Sequence, residues 1–187
     1  MMRRGRVTLQ FCGFGGQGIV LSSVVFGTAA VTRAGLNAVQ TQSYGSEARG
    51  GECQAELILS KGPIHSPLAD QVDILVAMSQ LALNRYLDRL KPGGTLILDP
   101  ELVGEPERSN IQITQVPATE IASEIGPRII ANMVMLGFLQ QATGLMSEED
   151  LYETVRDNVP QKYLEMNLQA AKRGMALAQD QNFSVEI

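Results

Sequence analysis

The chain is poor in the residues that carry redox and metal chemistry. Its 187 residues include two cysteines, Cys12 and Cys53, and a single histidine, His65. An iron–sulfur cluster takes about four thiolates, commonly with Cys-x-x-Cys spacing, and a structural zinc site takes four Cys or His ligands. This inventory supplies neither. A Cys53–His65 nucleophilic pair is conceivable across a hairpin, but Cys53 sits in a strand-like run, where a cysteine reads as a small buried hydrophobe. Tryptophan is absent. Positive charge is scarce as well: 15 Lys and Arg stand against 20 Asp and Glu, a net −5. With no Lys/Arg cluster, that balance argues against a nucleic-acid partner. No apolar run approaches the ~20 residues that cross a bilayer. The basic N-terminus leads into an apolar segment that breaks at Gly13, so the hydrophobic region of a signal peptide is missing. These absences lead us to expect a cytoplasmic protein without membrane or nucleic-acid contacts. With so few acid–base candidates, it should not run a reaction alone.

What is present is the composition of a folded domain. Hydrophobic residues make up 44% and charged residues 19%, and the length suits one domain of ~100–200 residues, here spanning 1–187. Val7, Leu9 and Phe11 alternate with Arg6, Thr8 and Gln10, as in a strand. A glycine-rich break follows, then an apolar helical run over 19–34 with Gly35 as its C-cap. Strands are expected at 37–40, 55–59, 73–77, 95–98 and 111–116, with a polar loop over 42–51. Ser79 is placed to cap a helix running through Leu81, Leu83, Tyr86, Leu87 and Leu90. Beyond 116 the chain turns helical: an apolar helix over 129–143, a capping box at Ser147-Glu148-Glu149-Asp150, and a last helix after Pro160. That last helix carries Leu164, Leu168, Ala171, Met175 and Ala178 on one face. Strands alternating with helices predict an α/β fold. We expect an open, mostly parallel Rossmann-like sheet flanked by helices, with extra C-terminal helices.

Two loops carry the functional signal. Gly13-Phe14-Gly15-Gly16-Gln17-Gly18 lies between the first strand and the first helix, where a dinucleotide fingerprint would lie. Glycines let the backbone turn and approach a ligand, and the helix start offers free N–H groups to an anion. The acid expected at the end of the second strand is missing: the chain reads Gln40-Thr41-Gln42-Ser43. That counts against NAD, and no Gly-Lys-Ser/Thr follows to make a Walker A loop. A tight turn, an anion site and a subunit contact all remain open for this segment. The second loop, Ser43-Tyr44-Gly45-Ser46-Glu47-Ala48-Arg49-Gly50-Gly51, packs an aromatic, an acid, an arginine and three glycines together. Arg49 could clamp a phosphate or carboxylate, or pair with Glu47 and stiffen the loop. In a parallel sheet both loops should emerge at the carboxyl edge, where ligands bind.

These two loops, with the later Ala131-Asn132-Met133-Val134-Met135-Leu136-Gly137, closely resemble the three signatures of the gamma subunit of 2-oxoacid:ferredoxin oxidoreductases. The order and spacing fit over essentially the whole chain. Ser46 departs from the pattern, standing where many members carry proline. The Tyr-Gly-x-Glu-x-Arg-Gly-Gly form is most like the 2-oxoglutarate branch. The resemblance implies a subunit of a multi-subunit enzyme that decarboxylates a 2-oxoacid oxidatively, makes an acyl-CoA and passes electrons to ferredoxin. It also implies alpha and beta partners, with or without delta, that hold thiamine diphosphate, Mg and the iron–sulfur clusters. This chain would bind no cofactor alone and would meet coenzyme A at a subunit interface. Site residues implied are Gly13, Gly15, Gly16, Gln17, Gly18, Tyr44, Glu47, Arg49 and Gly50. A stand-alone nucleotide-binding module and a purely structural subunit are the competing readings, and pyruvate, branched 2-oxoacids or indolepyruvate the competing substrates. Asn132, polar within an apolar helix, is read as bonded to a neighbouring backbone carbonyl, and His65 as a loop residue.

Overall fold

The computed structural model describes residues 5–44 and 51–185. Its elements run β1 (Arg6–Phe14), α1 (Ile19–Thr32), β2 (Asn37–Tyr44), β3 (Glu52–Ser60), β4 (Val72–Ala77), α2 (Gln80–Tyr86), β5 (Leu90–Leu98), β6 (Gln112–Gln115), α3 (Ala118–Ile125), α4 (Ala131–Thr143), α5 (Glu148–Asn158) and α6 (Leu164–Asp180). The six strands form one sheet in the order β2-β3-β1-β4-β5-β6. Only β3 opposes the others, because it pairs antiparallel with both β1 and β2, while β1, β4, β5 and β6 are mutually parallel. The mostly parallel sheet expected from the sequence is therefore present, with a β2–β3 hairpin built into it.

β1 lies at the centre and is buried on both faces. Val7, Leu9 and Phe11 join the larger core under α1 and α4. Thr8 and Gln10 are buried as well, on the opposite face. There the polar partners are internal: the Thr8 N–H donates to Asp73 at 2.8 Å, and Gln10 accepts from Arg89 at 3.4 Å. Arg89 also pairs with the buried Glu56 at 2.6 Å. A strand whose alternation suggests a half-exposed position is thus covered on both sides.

Three further elements differ from expectation. β2 runs to Tyr44, so 42–44 belong to the sheet and not to a loop. α2 stops at Tyr86, a single 3-10 turn follows, and Leu90 opens β5 instead of continuing the helix. α3 has no cap of its own. Asp99, fully buried at the end of β5, takes the Thr119 N–H at 2.8 Å and holds the start of α3 from a distance.

α4 is buried on all sides except at Gln141, as befits a helix apolar around its whole circumference. It crosses α6 with almost no side chain between the backbones. A Cβ on Gly137 would stand 1.9 Å from the Ala171 carbonyl oxygen, and one on Gly174 would stand 2.0 Å from that of Val134. The deeply buried stripe of α6 accordingly includes Asn167, Ala170 and Gly174, while Leu164 and Leu168 are half-buried. α5 opens with the expected capping box: Ser147 and Asp150 bond each other's backbone N–H at 3.2 and 2.9 Å.

Candidate functional site at the carboxyl edge of the sheet

The break after β1 is a corner built from glycine and amide groups. Gly13 sits where a Cβ would come within 2.4 Å of Gln17 Oε1, so a bare backbone lets the Gln17 side chain fold back. That side chain accepts the Phe14 N–H at 2.6 Å and donates to the Met78 carbonyl at 2.8 Å. It joins the end of β1 to the end of β4. Gln17, expected as part of a ligand surface, therefore has its side chain committed inside the protein. Gly16 (φ +98°) and Gly18 (φ +74°) adopt left-handed conformations that side chains rarely tolerate. A Cβ on Gly16 would meet nothing within 4 Å, leaving that part of the backbone open.

Gly18 is the N-cap of α1, and the helix start has neither a side-chain cap nor an acid in its first turn. Its unopposed N–H groups and partial positive charge favour an anion. From the other side, the Gly18 carbonyl accepts Ser22 N–H and Oγ at 2.8 and 3.0 Å. Asn132 Nδ2 lies 3.5 Å from the same oxygen, which is the backbone carbonyl partner expected for Asn132.

The two loops do converge. The Gly15 N–H donates to the Gly51 carbonyl at 3.0 Å, joining the glycine corner to the end of the second loop. In register, Gly13 lies opposite Cys53, and Cys53 opposite Tyr44. Tyr44 is the last described residue before that loop and is 60% exposed. Glu47, Arg49 and Gly50 lie outside the described residues, so the position of the expected clamp is not part of this geometry. The insertion of β3 matters for the nucleotide question. It moves the end of β2 two strand spacings, roughly 9–10 Å, away from β1. A dinucleotide site needs an acid on the strand adjacent to β1. β2 ends without an acid and is not adjacent to β1, and Glu52, the acid at this edge on the adjacent β3, is paired with Arg85 at 2.6 Å.

Two clefts flank the corner. One, of ≈ 270 Å³, is lined by Gly16, Gln17, Met78, Thr119 and Arg128. The other, of ≈ 350 Å³, is largely apolar and runs past Gly18, Leu21, Ile129, Asn132 and Tyr163. Two cations not singled out in the sequence stand at this edge. Arg85 pairs with Glu52 at 2.6 Å, and Arg128 pairs with Glu101. Sequence spacing could not find them, because Arg85 on α2 meets Glu52 of the hairpin and Arg128 on a 3-10 turn meets Glu101 only in the folded chain.

Other sequence candidates lie elsewhere or are inert. Cys53 is at the carboxyl edge, whereas the exposed His65 follows the far end of β3, so the two form no pair. Cys12 is buried, and burial with the nearby Glu52 carboxylate pushes its thiol up to about 12. Burial raises the Cys53 thiol too. Among the described residues, no three His, Cys, Asp or Glu side chains are grouped to hold a metal, and no helix is long and apolar enough to cross a membrane.

The chain is 46% identical to the 2-oxoglutarate synthase subunit KorC of Methanothermobacter marburgensis, over 92% of this chain and 96% of that protein. Its fold matches the gamma subunit of a keto/oxoacid ferredoxin oxidoreductase from Geobacter sulfurreducens, with TM-score 0.84 and 37% identity over 94% and 98% of the two chains. It also matches 2-oxoglutarate:ferredoxin oxidoreductase from Magnetococcus marinus, solved with 2-oxoglutarate, coenzyme A and succinyl-CoA bound. There the TM-score is 0.88 and the identity 26%, and this chain spans 98% of its own length but 33% of that protein's. Residues 8–177 match the model of the pyruvate ferredoxin/flavodoxin oxidoreductase family, and the chain belongs to that family.

Proposed function

We propose that this chain is the gamma subunit of a 2-oxoglutarate:ferredoxin oxidoreductase. The observation that carries this reading is the end-to-end identity of 46% with a 2-oxoglutarate synthase subunit. The assembled enzyme would convert 2-oxoglutarate and coenzyme A to succinyl-CoA and carbon dioxide, with ferredoxin taking the electrons. Alpha and beta subunits, with or without delta, would hold thiamine diphosphate, Mg and the iron–sulfur clusters. Two separated, buried cysteines cannot ligate a cluster.

Within that enzyme, this chain offers a surface for an anionic, extended co-substrate. Gly15 and Gly16 present backbone without side chains, and the start of α1 presents N–H groups to a diphosphate. Tyr44 adds an exposed aromatic face beside the second loop, where Glu47, Arg49 and Gly50 would complete the contact. Arg128, on the wall of the cleft beside Gly16, supplies positive charge once it releases Glu101. Orientation of coenzyme A toward the partner's reaction centre is this chain's contribution.

The test is Gly16→Ala in the assembled enzyme. The added methyl meets open space, so the fold should tolerate it apart from the strain of φ +98°. It obstructs a ligand that must touch the backbone. The expected result is a KM for coenzyme A raised about tenfold, equal to ~1.4 kcal/mol of binding, with the KM for 2-oxoglutarate unchanged. An unchanged KM for coenzyme A would remove the glycine corner from the co-substrate site.

A further inference from the structure

The third sequence signature, 131–137, lies far along the chain from the loops, and the proposed function gives it no task. Its last residue has a structural one, since Gly137 lets α4 touch the α6 backbone. Its second residue faces the other way. Asn132 is 3% exposed, at the start of α4, with its side-chain amide against Gly18. A Cβ on Gly18 would stand 2.3 Å from Asn132 Nδ2 and 3.0 Å from its Cγ. The two residues therefore interlock: the bare α-carbon of one fits against the amide of the other.

On the opposite flank, Gln17 fits against the bare α-carbon of Gly13 and bonds the ends of β1 and β4. Two amide side chains thus hold the corner from both sides, one from inside the loop and one from 114 residues away. Between them lies the exposed backbone of Gly15 and Gly16.

We infer that Asn132 is a positioning residue that sets where the Gly15–Gly16 backbone stands. Its height is fixed by α4, which is itself fixed by backbone contact with α6. Without the Asn132 amide, Gly18 loses a donor to its carbonyl and the packing that holds its left-handed turn. The corner can then settle toward the apolar cleft beside it. Interior packing leaves few vacancies larger than a water molecule, so such a gap is felt by its neighbours.

This inference rests on the proposed contact between the corner and coenzyme A for its kinetic consequence, but not for its structural one. The experiment is Asn132→Ala in the assembled enzyme, measured by amide hydrogen exchange and by steady-state kinetics. Exchange at Gly15, Gln17 and Ser22, whose amides are hydrogen-bonded in and beside the corner, should accelerate, and the KM for coenzyme A should rise about tenfold, or ~1.4 kcal/mol, with kcat within about twofold. Asn132→Asp keeps the shape but sets an acceptor against the Gly18 carbonyl, and should accelerate the same amides. It serves if the alanine variant fails to assemble.

A second readout uses the interlock. Gly18→Ala alone forces a methyl into the Asn132 amide, whereas Gly18→Ala with Asn132→Ala has room for it. The double variant should melt higher than the two single losses predict when added. Unchanged exchange at Gly15, Gln17 and Ser22 in both Asn132 variants, or strictly additive losses, would overturn the inference. Faster exchange with an unmoved KM for coenzyme A, in Asn132→Ala and Gly16→Ala alike, would uphold the positioning role. The same result would overturn the coenzyme A reading.

Discussion

At the residue scale, the corner is made by side chains that act on backbone. Gln17 replaces two backbone partners that β1 and β4 would otherwise lack. Gln17→Ala should cost about 1–3 kcal/mol, the range for a part-buried donor or acceptor left unpaired, and lower the melting temperature by several degrees. Thermal unfolding of the purified chain checks this. Cys12 supplies a pH prediction. Its thiol titrates near 12 in the folded chain and near ~8.5 when unfolded, so between those values the folded state holds the extra proton. The resulting stabilisation is complete below the lower value. It is lost as pH rises through the window, by up to ~1.4 kcal/mol per pH unit. Urea midpoints measured from pH 8 to 11 should fall, and fall less steeply in Cys12→Ala. Residue roles were legible where they depended on type alone. Asn132, polar in an apolar helix, had to find a backbone carbonyl, and it did. Gln17 was not legible, because nothing in a glycine-rich loop shows that its side chain folds back past the bare Gly13 to bond the ends of β1 and β4.

At the scale of elements, the strands and long helices were readable from periodicity and caps, such as Ser147 with Asp150. What escaped was pairing. Nothing in 52–60 says that this strand will run backwards between β1 and β2, since a hairpin and a crossover share the same apolar pattern. α3 escaped because its start is held by Asp99, from another element, and not by a local cap. Three predictions belong here. Gly137→Ala or Gly174→Ala forces a methyl into backbone at about 2 Å and should cost at or above the top of the ~1–3 kcal/mol typical of overpacking. Gly62→Ala, which meets nothing within 4 Å, should stay within ~0.5 kcal/mol of the parent. Ser147→Ala should remove about 1 kcal/mol through the lost cap. Chemical denaturation of the set checks all of these.

At the scale of the whole molecule, chemistry is gathered at one edge. Five strands point their carboxyl ends the same way, and the glycine corner, Tyr44, Gly51 and the two clefts all lie where those ends emerge. The opposite edge holds His65 and the start of β1, with no part in the proposed function. On the function we propose, this edge would face coenzyme A and the neighbouring subunits. The most direct test is anaerobic purification of this chain with its natural partners, followed by coenzyme A-dependent reduction of a dye acceptor. The assay compares 2-oxoglutarate, pyruvate, a branched 2-oxoacid and indolepyruvate. The account predicts a multi-subunit enzyme that turns over 2-oxoglutarate fastest and falls silent without coenzyme A. Recovery of the chain alone and inactive, or a preference for one of the other acids, would contradict it.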